Sequence, residues 1–335
     1  MPEITFEQAK EFLNNINSED KVAIIHDVDS DGFCSGILYY DWCKNKNTEV
    51  KHFPFEKISK IKDFELKKYN KVIICDLAAD YMAEEVESIK DKQIFFADHH
   101  PRNTTLPKEV LEFVTVNDGN LPSSRTAGEL TELKSWLSLA GTIVDSGQFY
   151  PENLEFINKH LKEIGMTFDE FKKNKSDIIR NFIIYFDKDY NKVFKILNKI
   201  NSVNEILKLK EYSNPVKLEI EKFVDEFKTK SEKLGYINYF YFEPHFSVKV
   251  PVIGIISHQD RNGAYIFATP TSDKNYVSLS LRSNAKKENM PELVKAGISG
   301  LEDGSGGGHF SAAGGRILAK DIEKFKQNIV DFAKK

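Results

Sequence analysis

KVAIIHDVDSDG, residues 21–32, decides the fold. Val22 to Ile25 is a short, mostly β-branched run that ends abruptly in an acidic turn, and an apolar stretch from Phe33 to Cys43 follows. The same grammar returns at Val72–Cys75 and at Ile94–Ala97, each closed by a polar cluster. Strands that are apolar throughout rather than alternating, and separated by helical spacers, are the mark of a parallel sheet buried on both faces. The spacing predicts an α/β domain with a mostly parallel sheet. A helix is expected to start at Thr126, with Glu129 completing a capping box, and to continue through Leu133, Trp136, Leu137 and Ala140.

The character changes from Pro151 to Leu234, which is rich in Lys, Glu, Asn and Ile and carries one long helical pattern. Asn214 is the expected cap of that helix, Pro215 its first turn and Gly235 its stop, with Val216, Ile220, Phe223, Phe227 and Leu234 on one stripe. From Tyr236 onward the chain reads as β-rich, with strands at Tyr239–Phe242, Val248–Ile256, Tyr265–Thr269 and Val277–Arg282, a glycine-dense turn, and a final amphipathic helix. The aromatics between Tyr236 and Phe246 read as core. We expect the parallel-sheet unit over 1–185, a helical connector over 186–235, and a smaller α+β domain over 236–335.

Length and composition bound the rest. A chain of 335 residues, 41% hydrophobic and 29% charged, holds enough apolar surface for about two cores. Eighteen glycines and eleven prolines are too few for a fibrous or low-complexity chain. The net charge of −4 excludes a generic basic coat for nucleic acid, so any polyanion must be held by a local patch or by metal ions. Three cysteines without CxxC spacing argue against a disulfide framework and a zinc module. The acidic N-terminus lacks a signal-peptide core, and no run approaches the ~18 apolar residues of a membrane span. The expectation is a soluble, cytoplasmic protein without membrane contact.

Asp27, Asp29 and Asp31 crowd three carboxylates into five residues at the carboxyl end of a strand. Such an arrangement repels itself unless a cation sits in it. DVDSDG also fits the opening of an EF-hand loop, but Leu38 stands where a bidentate Glu is required and the preceding element is a strand. Asp76 follows VIIC, and Asp98-His99-His100 follows IFFA. Three strands thus deliver Asp or His at their C-terminal ends, where open α/β sheets bind ligands. Oxygen and imidazole donors without thiolates suit manganese or magnesium. Asp145, in AGTIVDSG, reads on its own as a helix C-terminal residue. GSGGGHFSAAGG, residues 304–315, holds six of the eighteen glycines and reads as an anion cradle flanked by His309 and Arg316. Arg282, closing VSLSL, is either a bidentate partner of the same anion or a surface arginine on an edge strand.

In this order DVDSDG, CDLA (Cys75 to Ala78), DHH, GTIVDS (Gly141 to Ser146) and GGGHFSAAG (Gly306 to Gly314) resemble the motifs of the DHH phosphoesterase superfamily and its DHH-associated C-terminal domain. On this resemblance, 1–185 is the metal-binding catalytic DHH domain and 236–335 the substrate-binding domain. The first motif is more similar to RecJ exonucleases than to inorganic pyrophosphatases, and the two-domain length also resembles the nanoRNase and pAp-phosphatase branch. The resemblance leaves Pro151 to Leu234 unmatched. Many members carry a histidine where this chain has Ile25; RecJ-like members have the extra aspartate that is Asp27 here, and His26 is the other option for that ligand. The resemblance implies two divalent cations, manganese preferred and magnesium the alternative. Asp27 (or His26), Asp29 and Asp76 would hold one; Asp31, Asp76, His99 and Asp145 the other. Asp76, His99 and His100 would form the catalytic centre. His100, Arg282, the amides of Gly306, Gly307 and Gly308, and His309 would bind substrate. The implied activity is an exonuclease releasing mononucleotides from single-stranded DNA or RNA. The alternatives are hydrolysis of very short oligoribonucleotides, pAp or linear and cyclic dinucleotides, and a non-catalytic binding subunit of a replication or repair assembly. A homodimer or a replication or repair partner is compatible with each.

Overall fold

Every position of Lys71–Cys75 is buried, as continuous apolar strands demand, and the sheet built around it organises the first half of the chain. The computed structural model describes residues 4–56, 59–100, 102, 104–114, 121–285 and 288–334. It divides into two compact units, Met1–Ser213 and Asn214–Lys335.

In the first unit the elements run α1 (Phe6–Asn14), β1 (Lys21–Asp27), α2 (Ser30–Asn45), β2 (Glu49–Phe55), β3 (Lys71–Cys75), α3 (Ala79–Glu87), β4 (Gln93–Asp98), β5 (Val110–Val114), α4 (Ser123–Thr131) and α5 (Ser135–Val144). The strand order is β2-β1-β3-β4-β5 and every pairing is parallel. The alternation of strand side chains divides each run between two cores. Val22, Ile24, Ile73, Cys75, Phe95 and Ala97 pack with α1, α2, α4 and α5, while Ala23, Ile25, Val72, Ile74, Ile94 and Phe96 pack with α3 on the other face. Gly32 lets α2 start against β1, since a Cβ there would lie 2.4 Å from the Asp27 carbonyl oxygen. At the opposite end of the strands, Lys71 Nζ meets Asp20 Oδ2 at 2.7 Å, both side chains being nearly inaccessible.

The helix expected from Thr126 onward instead starts at Ser123 and is broken in two, with Glu132 and Lys134 both left-handed between α4 and α5. No side chain of its own first turn caps α4; its amides find a partner elsewhere, described below. Helices α6 (Pro151–Ile164), α7 (Phe168–Phe171), α8 (Asp177–Phe186) and α9 (Tyr190–Asn198) follow, with a π-helical turn over Lys172–Ser176. The long helix α10 (Lys210–Lys230) begins four residues before Asn214 and carries Pro215 inside it, because a 3₁₀ turn at Glu205–Leu209, anchored by the buried Ile206 and Leu209, feeds straight into it. Leu234 is therefore not on its stripe but in the next strand.

The second unit holds β6 (Glu232–Leu234), β7 (Ile237–Tyr241), α11 (Lys249–Gln259), β8 (Ala264–Pro270), β9 (Tyr276–Arg282), α12 (Met290–Ile298), β10 (Ser305–His309), β11 (Ala312–Leu318) and α13 (Ile322–Ala333). Its mixed sheet has the order β10-β11-β9-β8-β7-β6. Two expectations are corrected here. Val248–Ile256, read as a strand from its β-branched residues, is helix α11, where packing overrides propensity. The glycine-dense segment, read as a turn, is the hairpin β10–β11, anchored because β11 pairs with β9. One face of the sheet packs on α12 and α13 through Ile266, Val277, Leu279, Leu281, Phe325 and Ile329. Phe227, on α10, rests on Phe240 and Phe267 of the other face.

Cys34, Cys43 and Cys75 are free and buried. Burial pushes the Cys43 and Cys75 thiols up to about 12 and that of Cys34 well above its usual value. No helix among the described residues is long and apolar enough to cross a membrane.

Candidate metal centre

The carboxyl ends of β1, β3 and β4 and the C-terminal end of α5 place the predicted side chains together. Asp27 ends β1 and Asp29 caps α2, its Oδ1 accepting the Gly32 amide at 3.0 Å. Asp76 follows β3 in the left-handed region (φ 61°), a conformation that Asp tolerates better than most residues. Asp145 caps α5 at its C-terminus, where the helix dipole disfavours a negative charge. Asp145 is thus the helix-terminal residue its sequence suggests, and also a member of the cluster. His99 Nε2 lies 3.2 Å from Asp76 Oδ1, 3.8 Å from Asp145 Oδ2 and 3.9 Å from Asp31 Oδ2.

Three sets of donor atoms lie within 4.8 Å of one another: Asp27, Asp29 and Asp76; Asp31, His99 and Asp145; and Asp76, His99 and His100. Asp76 and His99 each belong to two sets, so the cluster is continuous. His26 does not join it. Alternation turns its ring away from Asp27, onto the face of β1 that packs on α2, against Phe33 and Phe194. Its Nδ1 lies 2.7 Å from the Asp27 carbonyl oxygen and its Nε2 is 3.4 Å from His52. Burial lowers its pKa to about 4.

The electrostatics fit divalent cations. Burial, followed by the charges of Asp31, Asp29, Asp27 and Asp145, drives the Asp76 carboxyl well above its ordinary range. Asp145 is displaced in the same direction by burial, Asp31 and Asp29. Asp31 is raised by burial against the opposing pull of His99. Asp76 Oδ1 is fully buried yet accepts no hydrogen bond, which is costly unless a cation supplies the missing partner. The donors are oxygen and imidazole; the nearby thiols of Cys34 and Cys75 stay protonated and offer no thiolate.

Two features escape a reading of motifs. Asp31 accepts the amides of Ser123 at 2.7 Å and Ser124 at 3.0 Å, and so closes the N-terminus of α4 from a distant part of the chain. The serines before a helical pattern are the only signal, and they suggest a local cap rather than a remote one. Asp98 Oδ1 meets His100 Nδ1 at 2.8 Å. Burial works against charge on His100, but the hydrogen bond and charge of Asp98, with Asp29 and Asp27 behind it, outweigh burial and raise its pKa.

The second unit holds the remaining candidates. Arg282 ends β9, half-buried, and Ala312 of β11 is its register partner. Gly306, Gly307 and Gly308 lie on β10, the edge strand, where alternate backbone N–H groups point away from the sheet. At Gly308 (φ 152°) a Cβ would lie 2.4 Å from the Ala312 carbonyl oxygen. The side chain of His309 lies outside the described residues. Arg316 does not flank an open cradle: it stacks on Tyr276 at 4.3 Å and lies 3.9 Å from Asp303.

Comparison with known proteins agrees with this architecture. Residues 21–164 match the model of the DHH family, N-terminal domain, and residues 241–335 match the DHHA1 domain. No curated protein matches the sequence. RecJ from Thermus thermophilus in complex with Mn2+ is similar in structure with a TM-score of 0.72 at 14% identity, over 100% of this chain and 55% of that one. The chain thus spans about half the length of that relative. An exonuclease RecJ bound to manganese gives 0.72 at 14% identity, covering 100% of this chain and 96% of the other. CDC45 from Entamoeba histolytica gives 0.58 at 10% identity over 98% and 99%. Such identities establish the fold alone. With both family models matched in order on an α/β unit followed by a mixed-sheet unit, the chain belongs to the DHH superfamily of phosphoesterases, a DHH domain followed by a DHHA1 domain.

Proposed function

We propose that this protein is a metal-dependent phosphodiesterase that acts as an exonuclease on single-stranded DNA or RNA and releases mononucleotides. The observation that carries the reading is the mutually repelling carboxylates Asp27, Asp29, Asp31, Asp76 and Asp145 gathered with His99, Asp31, Asp76 and His99 being buried and Asp76 Oδ1 accepting no hydrogen bond. Asp27, Asp29 and Asp76 would hold one divalent cation and Asp31, Asp76, His99 and Asp145 a second, with Asp76 common to both. Manganese or magnesium bound there would lower the pKa of a water molecule and offset charge on the leaving oxygen.

The chain's own groups do the rest. Asp98 holds His100 through Nδ1 and favours its protonated form, whose Nε2–H would donate to a phosphate oxygen. Asp31 ties the cluster to the first turn of α4 and keeps its carboxylate immobile. Arg282 and the outward amides of β10 would bind the phosphates of the strand. A protein that had shed catalysis would be expected to have lost at least one of these carboxylates, so their presence favours an enzyme over a purely non-catalytic subunit. The net charge of −4 keeps a second substrate range in view: oligoribonucleotides of a few residues, pAp or dinucleotides.

Product analysis with manganese on 5′- and 3′-labelled DNA and RNA of graded length tests both. Stepwise release of mononucleotides from long strands is expected. A sharp fall in rate beyond about five nucleotides would move the assignment to the short substrates, and full activity of Asp76→Ala would sink the metal mechanism.

A further inference from the structure

Among the described residues, Arg282, Arg316 and Lys249 share one side of the mixed sheet, and of these three only Arg316 faces a carboxylate. On β9 the side chains alternate, Val277, Leu279 and Leu281 entering the core while Ser278, Ser280 and Arg282 share the other, half-buried face. Arg316 reaches that face from β11 and is answered by Asp303. Arg282 has no carboxylate acting on it among the described residues, and burial alone lowers its pKa. Lys249, the first residue of α11, donates from Nζ to Ser278 Oγ. It too has no anionic partner among the described residues, and burial alone brings its pKa down to about 8. No side chain caps the N-terminal amides of α11 beside it. A half-buried cation without a counter-charge is unfavourable in the free protein, and two of them against one face of the sheet define what the face lacks, which is negative charge at two points. Between them the floor carries no bulk: a Cβ at Gly307 would meet nothing within 4 Å, and one at Gly314 only the Leu279 carbonyl oxygen at 3.8 Å.

We propose that Lys249 and Ser278 form a second phosphate subsite, set four residues along β9 from Arg282, so that this unit grips a nucleic-acid strand by two separated phosphates. The inference rests on the phosphodiesterase reading above and narrows its substrate. Four residues of strand span ~13 Å. A stacked single strand carries a charge every ~3.4 Å of axis, so the two cations reach across several nucleotides. A mononucleotide bisphosphate or a dinucleotide is too short to engage both. The subsite therefore selects oligonucleotides over those small substrates, and Lys249 is a specificity-determining residue rather than a catalytic one.

The test is fluorescence anisotropy with end-labelled oligothymidylates of two and eight nucleotides and the full chain, in calcium buffer, with the intact length checked on a gel. Loss of one charge-assisted contact is expected to weaken octanucleotide binding by Lys249→Met about ten-fold and to lower the salt slope by about 0.7. Dinucleotide binding should shift less than two-fold, and Lys249→Arg should restore the octanucleotide affinity and slope. Ser278→Ala, a milder change, should weaken the octanucleotide selectively and serves if Lys249→Met does not fold. Equal losses at both lengths, or no loss at either, would overturn the subsite while leaving the phosphodiesterase reading intact. A wild-type protein that binds neither oligonucleotide would bring down both.

Discussion

Asp31 and Ser123, 92 positions apart, are joined by a 2.7 Å hydrogen bond from the Ser123 amide to Oδ2, while Oδ1 takes the neighbouring amide. One carboxylate therefore serves the candidate metal centre and ends a helix. Removing it by Asp31→Ala leaves two buried N–H groups without acceptors, a loss of about 1–3 kcal/mol. Asp31→Asn keeps one acceptor and should lose less. Urea unfolding in EDTA should rank wild type above Asn above Ala, whereas both variants should lose hydrolysis.

Asp76 shows the opposite balance. Its buried, unpartnered oxygen and the carboxylates around it make the metal-free protein less stable than it needs to be. Asp76→Asn, which tolerates the same left-handed backbone, should melt higher than wild type in EDTA. Manganese at a hundred times its Kd should stabilise wild type by about 2.7 kcal/mol and the variant hardly at all. Calorimetric melts with and without manganese decide it; a variant that melts lower in EDTA would contradict the argument.

Gly32→Ala tests the seam between β1 and α2. The added methyl would sit 2.4 Å from a backbone oxygen that cannot yield, a cost of about 1–3 kcal/mol. Because the same seam sets Asp27 against Asp29, manganese titration should show weakened binding as well as a lower melting point.

How much of this was legible depends on the range of the interaction. The apolar runs ending in Asp27, Asp76 and Asp98 announce a buried parallel sheet because each carries its signal in about six consecutive residues. Asp27, Asp76 and His99 were legible for the same reason, as they close those runs, with Asp29 and Asp31 in the turn that follows; Asp145, which reads on its own as a helix end, joined them only through the family resemblance. The cap on Ser123 was not legible, since periodicity says nothing about an acceptor from a distant turn. Val248–Ile256 misled because β-branched residues are as suited to a buried helix as to a strand. Residues 304–315 misled because glycine has no strand preference of its own, and the pairing of β11 with β9 supplies what the residues lack.

The Asp20–Lys71 pair governs acid sensitivity at the far end of the sheet. Burial pushes the Asp20 carboxyl up, but hydrogen bonds from Lys71, Asn70 and the Asn17 amide, with the Lys71 charge, carry it net below 3.8. A carboxyl depressed in the folded state contributes stability that is complete above its unfolded pKa and is lost as pH falls through the folded one. Asp20→Asn should cost about 3 kcal/mol near neutrality by stranding the buried ammonium. The wild-type advantage should shrink as pH drops below 3.8, as read from unfolding curves taken at a series of pH values.

Three thiols sealed inside the first unit give the native chain no ready nucleophile for alkylating dyes. Modification must wait for the polypeptide to open, so the rate at which a maleimide or a disulfide reagent is consumed clocks that opening directly. A single cysteine engineered on the outer surface would accept a fluorophore selectively, with the three native ones left in place.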